Sequence, residues 1–168
     1  MGHYTIAFIV DAENKEDAKA VVEDIFNFNG GNDYSFWDAT GFDYGKVLDG
    51  DAEDPDVPRV VPIDSVEGQA LLQKLMRGMK VNWVHYAKQL YRKMRRARSR
   101  GVSFERMWEH YTENQMRYAA RQLGSYGGPS ILIYEEHGGG IANEVELRQH
   151  LASASGETRF VVPADVHY

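Results

Sequence analysis

Cysteine is missing from the 168 residues, so the chain has no disulfide, no thiolate metal ligand and no thiol nucleophile. No run of about 18 apolar residues occurs, which excludes a membrane-spanning helix at the level of sequence. The N-terminal residues lack a charged segment followed by an apolar stretch and a small-residue cleavage site, so a cytoplasmic setting is expected. Proline is sparse, with 5 in all, and Pro55, Pro58 and Pro62 fall in one stretch. The most informative absence is local. Residues 71–101 contain ten lysines and arginines and no aspartate or glutamate.

That block stands out because the whole chain has a net charge of −6. Residues 1–70 carry 16 acids and 4 bases, and residues 102–168 carry 9 acids and 5 bases. Charge segregated this strongly needs a counter-charge, from the protein's own acidic region, a second subunit or an external polyanion. The hydrophobic content of 43% is enough for one domain over 1–168 with a core of its own.

The basic block lies within residues 65–100, which read as one long helix. Leu72, Met76, Met79, Trp83, Ala87, Leu90 and Met94 recur three or four residues apart. At ~100° per residue they fall in a band of about 80°, an amphipathic signal sustained for six turns. Lys74, Arg77, Lys88, Arg92 and Arg95 cluster roughly 150° away, continued by Arg96 and Arg98. Ser65 is the expected cap, Glu67 suits the positive end of the helix dipole, and Gly101 marks the stop.

Around this helix the chain alternates between strand and helix signals. Tyr4–Val10 has the β-branched and aromatic content of a buried strand, and Asn14 can cap a helix with Ala18, Val21, Val22, Ile25 and Phe26 facing inward. Residues 34–48 are expected to form a bent strand or hairpin, and residues 49–64 an extended acidic loop. Ser103 opens a second helix that runs through Phe104, Met107, Trp108, Tyr111, Tyr118, Ala119 and Leu123 to Gly124. With only Gly101 and Val102 between them, the two long helices are expected to form an antiparallel hairpin over 65–124. A strand at 130–134, a helix over 142–152 capped by Asn143, and a last strand at 159–162 complete the order. The fold expected is α+β: a ferredoxin-like split β-α-β sheet from 1–48 and 125–168, with the helical hairpin inserted.

Candidate chemistry reduces to a few positions. The basic face of Lys74, Arg77, Lys88, Arg92, Arg95, Arg96 and Arg98 can follow a phosphate backbone, with Tyr86 and Tyr91 as stacking surfaces. Its competing reading is a solvated face balanced by the protein's own acids or across a homodimer. Asp49, Asp51, Glu53, Asp54 and Asp56 resemble the start of a calcium loop, but Asp54 stands where the turn glycine belongs and Val60 where the bidentate glutamate belongs. His137, Gly138, Gly139 and Gly140 resemble an oxyanion loop without the matching G-x-S-x-G, which leaves a turn able to hold a small anion. Glu135, Glu136 and His137 could approach His167 only if two strand ends converged. His3-Tyr4-Thr5 matches His110-Tyr111-Thr112, but the second copy falls in a predicted helix and reads as coincidence. No catalytic residue, metal site or cofactor is assigned. The expected function is non-enzymatic binding of an anionic partner, nucleic acid or acidic protein, with homo-oligomeric assembly as the alternative and a small-ligand site at 137–140 as the third.

Several strings share a likeness. His3–Val10, Trp37-Asp38, Phe42-Asp43-Tyr44-Gly45 and the ending Phe160–Tyr168 resemble a group of small uncharacterised bacteriophage proteins, which open on a short strand and close on a valine-rich strand followed by D-x-H. The Gly-Gly-Arg-Trp element of that group is missing here. The resemblance implies a viral origin and a host-cell cytoplasmic setting, and it supplies no site residue.

Overall fold

A computed structural model describes residues 3–27, 36–50, 56–103, 105–106, 131–153 and 156–167. The protein is α+β. Its elements in chain order are β1 (His3–Ala12), α1 (Lys15–Asn27), α2 (Phe36–Thr40), β2 (Tyr44–Val47), β3 (Val61–Pro62), α3 (Val66–Ser99), β4 (Ile133–Glu135), α4 (Glu144–Ala152) and β5 (Thr158–His167). The mixed sheet has the order β2-β5-β1-β4, with β3 also on β5. β1 runs antiparallel to β5 over a ten-residue register, from His3 opposite His167 to Ala12 opposite Thr158, and parallel to β4.

Consecutive burial of Ile6 to Val10 shows that both faces of β1 are covered. Alternation sends Phe8 to one face, where its ring meets Phe26 of α1 and Phe36 of α2 at 5.6 and 5.5 Å. Ala7 and Ile9 point the other way and are equally buried, and α3 packs on β1, β3, β4 and β5. The helix ends follow the sequence. Asn14 Oδ1 accepts from the amides of Glu16 and Asp17, Ser65 Oγ accepts from Gly68, and Asn143 Oδ1 accepts from Val145 and Glu146. Glu146 reaches back to the Ala142 amide at 2.8 Å.

Three regions differ from expectation. Residues 34–48 do not form a hairpin: Phe36–Thr40 is a short helix and only Tyr44–Val47 is strand. Tertiary packing decides this, because Trp37 stacks on Phe26 at 5.4 Å and donates its indole N–H to the Phe26 carbonyl. Gly41 (φ +78°) then ends the turn, and at Gly45 a Cβ would lie 2.9 Å from the Phe26 and Trp37 rings. The last strand is far longer than 159–162 and runs through Pro163. Proline is tolerated because it falls between Phe160–Val161, paired by β3, and Ala164–His167, paired by β2, where no strand asks for its missing N–H. The acidic loop is pinned at its base: Asp49 pairs with Lys15 at 2.8 Å and Lys19 at 3.2 Å and accepts from the Val60 amide.

The ferredoxin-like expectation shares with this sheet the trio β5-β1-β4. It differs in β2, which lies beside β5 rather than on the free edge of β4. At Ser103, where the second long helix is expected to open, the Oγ accepts from the Arg106 amide at 3.2 Å. The remainder of the second long helix, 107–124, lies outside the described residues, as do His110 and Asp51–Pro55.

At one end of the β1–β5 ladder, Arg159 fixes three elements. Its guanidinium holds Asp11 with two bonds, at 2.6 and 3.1 Å, and donates to the carbonyls of His150, Leu151 and Ser153, closing the C-terminus of α4. The side chain is only 11% exposed. Arg159→Met therefore takes the guanidinium away from a part-buried carboxylate and from the helix carbonyls, at a cost of about 3 kcal/mol. Arg159→Lys, which keeps the charge and loses the fork, is expected in between. Urea unfolding of the three proteins checks this; equal stability of the Met variant and the parent contradicts it.

Burial pushes the Asp49 carboxyl up, but the hydrogen bonds from Lys15, Lys19 and the Val60 amide together outweigh it, so the group titrates below its ordinary value of 3.8. A lowered folded pKa adds stability above the unfolded value that disappears as pH falls through the folded one. Asp49→Asn is expected to cost about 1 kcal/mol at pH 7, a difference that should shrink as pH falls from 7 toward 2. A difference that stays constant across thermal melts between those pH values refutes this role.

Candidate anion-binding face

The 34 residues of α3 make a rod of about 51 Å, longer than the sheet it starts on. Leu72, Leu75 and Met79 are buried against the sheet, with Leu71 and Met76 partly so. No residue from Lys80 to Gln89 is buried. Burial returns at Ala97, which packs with Leu90, Met94 and Val102. That second cluster is produced by the helix end. The Val102 amide bonds the Ala97 carbonyl and the Gly101 amide bonds that of Arg98, with Gly101 at φ +72°. This is the Schellman arrangement, in which the residue after the glycine packs back on the helix.

The predicted apolar stripe is thus covered at both ends and bare in the middle, where Trp83 is 53% exposed. Val81 and Val84, on the side of the lysines, are exposed as well. With Lys80, His85 and Lys88 they line a shallow cavity of about 410 Å³. A second groove, of about 400 Å³, runs between α3 and α4 and has Arg77 and Glu144 on its walls.

Lys74, Arg77, Lys80, Lys88, Arg92, Arg95, Arg96, Arg98 and Arg100 are all exposed. Among the described residues no salt bridge joins any of these nine to an acid. The acids pair elsewhere: Asp49 with Lys15 and Lys19, Glu67 with Arg59, Asp11 with Arg159, and Glu144 with Arg148. The counter-charge in the base of the acidic loop is thus spent on α1 rather than on α3. The acids of α1, Glu16, Asp17, Glu23 and Asp24, face solvent, and Glu16 pairs with Lys19 of its own helix. The two stacking candidates separate. Tyr91 is 66% exposed and, by helical spacing, lies beside Lys88 and Arg95. Tyr86 is half-buried and packs edge-on against His85, with ring centroids 5.4 Å apart.

The glycine loop is built otherwise than as an open anion cradle. The Gly138 amide donates to the Glu135 carbonyl at 2.9 Å, and the Gly139 amide donates to the Glu135 carboxylate at 3.2 Å. The chain's own carboxylate thus holds a position that an external anion would take. Gly138 (φ +83°) and the bridge between Tyr134 and Gly140 close a tight turn. His137 is exposed and lies 3.7 Å from Glu136. Glu135 and His167 do not converge: Glu135 is level with Ile9 and His167 with His3, about 20 Å apart along the strand.

The contacts that His167 does make are not evident from the sequence. Its Nδ1 lies 2.8 Å from Asp43 Oδ1, the His3 Nδ1 lies 2.8 Å from Asp165 Oδ2, and the two rings are 5.1 Å apart. The signal is present as two alternating motifs at strand ends, His3-x-Thr5 and Asp165-x-His167, but their register is needed to join them. Among the described residues no group of three or more His, Cys, Asp or Glu side chains is placed to hold a metal, and no helix is long and apolar enough to cross a membrane.

A family model described as a domain of unknown function, DUF7995, matches residues 2–168. No curated protein and no solved structure matches the chain. Since the match takes in nearly every residue, the chain belongs to the DUF7995 family.

Proposed function

We propose that this protein is a non-enzymatic binding protein that engages nucleic acid along the basic face of α3. The observation that carries the proposal is the set of nine exposed cations from Lys74 to Arg100, none in a salt bridge among the described residues. They span about 39 Å of helix, a rod-like positive surface that suits an extended polyphosphate. Tyr91 among the cations adds an aromatic surface on which an unpaired base can stack, favouring nucleic acid over an acidic protein. The net charge of −6 does not oppose this, because acids and bases are segregated along the chain, with ten bases and no acid over residues 71–101.

In the same reading, α3 is the first limb of an antiparallel hairpin on a ferredoxin-like sheet. The β5-β1-β4 trio and the turn at Gly101 support it. Its setting is the cytoplasm, that of a host cell if the chain is phage-borne, as its likeness to phage proteins implies. A second reading, homo-oligomeric assembly through the hairpin, is favoured by one observation: Trp83 stands uncovered on the apolar stripe between two packed ends.

Fluorescence anisotropy with a single-stranded oligonucleotide, a duplex and polyglutamate tests the proposal. Reversal of Arg77, Lys88, Arg92 and Arg95 to Glu is expected to abolish binding to the oligonucleotide while leaving the circular dichroism spectrum intact. For the parent, with four to five phosphates contacted, log K should fall with log salt at a slope of about −3. Tyr91→Ala should cost about 1–3 kcal/mol on the single strand and nothing on polyglutamate. Full affinity in the fourfold variant, or tighter binding of polyglutamate than of nucleic acid, rejects the reading. A salt-insensitive dimer by light scattering, with no affinity for any of the three probes, replaces it with assembly.

A further inference from the structure

We infer that His3 and His167 form a two-histidine chelate for a borderline divalent transition ion of the zinc type, at the end of the sheet away from Arg159. The two residues face each other across the β1–β5 pair, and cross-strand partners project from the same face. A carboxylate can only accept, so Asp165 and Asp43, each 2.8 Å from an Nδ1, require the proton of each neutral imidazole to sit on Nδ1. Each Nε2 is then left with its lone pair free. A ligating histidine whose second nitrogen is held by a carboxylate is the usual arrangement around zinc, because the carboxylate fixes the tautomer and makes the imidazole a better donor.

The spacing agrees with the chemistry. A zinc–nitrogen bond of about 2.0–2.1 Å places the ring centroid about 3.2 Å from the metal, and two such rings at a tetrahedral angle have centroids about 5 Å apart. The observed separation is 5.1 Å. The local charge also permits a cation. Asp43 and Asp165 outweigh Lys46, which lies opposite Asp165 on β2, by one negative charge when the imidazoles are neutral. His3 and Asp43 are more than half exposed while His167 is 21% exposed, so one ligand is held against the protein and the approach stays open. With no third protein ligand among the described residues, water completes the coordination. Soft thiolate-seeking ions and hard ions such as Mg²⁺ and Ca²⁺ match this donor set poorly.

The experiment is calorimetric titration of Zn²⁺ into the full chain carrying no affinity tag, with Mg²⁺ as the comparison. Saturable binding of one Zn²⁺ is expected, with none for Mg²⁺. The H3Q/H167Q double variant retains the four other histidines and so reports the background; it should lose the site. D43N and D165N should each weaken binding by about 10–100-fold, acting through the imidazoles. H85Q, H137Q and H150Q should leave it unchanged. Because H167Q could disturb the strand end, the same titration is followed by long-range ¹H–¹⁵N spectra of the parent, in which the Nε2 signals of His3 and His167 should shift together. The proposal is overturned if the parent binds Zn²⁺ no more tightly than the double variant, an adventitious ion only, or if other histidine signals shift while these two stay in place.

Discussion

The structure depends on the antiparallel ladder between β1 and β5, two ten-residue strands that join opposite ends of the sequence. Every other strand pairs with one of the two: β4 with β1, and β2 and β3 with β5. The ladder also aligns the polar groups at its ends. The register that places Asp11 opposite Arg159 places His3 opposite His167, so the guanidinium fork and the histidine pair follow from a single alignment. A slip of one residue would turn Ile6, Phe8 and Val10 away from the rings of α1 and α2 and would break both ends at once. Because both faces of the ladder are buried, slippage gains nothing to offset that loss.

α3 obeys a different constraint. Its first turns are held by burial on the sheet and its last by the Gly101 turn, which folds Val102 onto Ala97. Between them, from Lys80 to Gln89, the helix relies on its own backbone bonds and on cooperativity with the packed ends. The fold thus makes a long positive surface without dedicating any core to its middle. Among the described residues, two acids close to α3 in the chain are engaged elsewhere. Lys15 and Lys19 take Asp49, and Arg59 takes Glu67.

Much of this is legible in local sequence. The apolar run at 4–10 and the caps Asn14, Ser65 and Asn143 specify structure through neighbours a few residues away, and so does the Gly101 stop. All of these appear as the pattern predicts. The failures share a cause. Phe36 and Trp37 look like strand residues because their fit against Phe26 depends on where α1 lies. Pro163 looks like the end of a strand because the gap between β2 and β3 that accommodates it exists only in the assembled sheet. Asp49 looks like a solvated acid, yet its partners lie 30 and 34 positions earlier. The basic face is the legible part of the candidate site. The histidine pair is not, since His3 and His167 are 164 positions apart and only register brings them together.

The basic face has an energetic consequence for the helix that carries it. Lys88 with Arg92, Arg92 with Arg95 and Arg96, and Arg95 with Arg98 are like-charged neighbours at helical spacing, each destabilising by about 0.2–0.5 kcal/mol. Together they cost about 1–2 kcal/mol in the outer half of the helix. A bound polyanion removes that repulsion, and whatever binds only the helical form stabilises it by mass action. On the proposed function, occupancy of the face and order in the outer half of α3 would therefore be linked quantities. Salt, which screens the repulsion as well as the attraction, would stabilise the free helix while weakening its hold on a polyanion. A helix of the same length with alternating charges would carry neither the penalty nor the link.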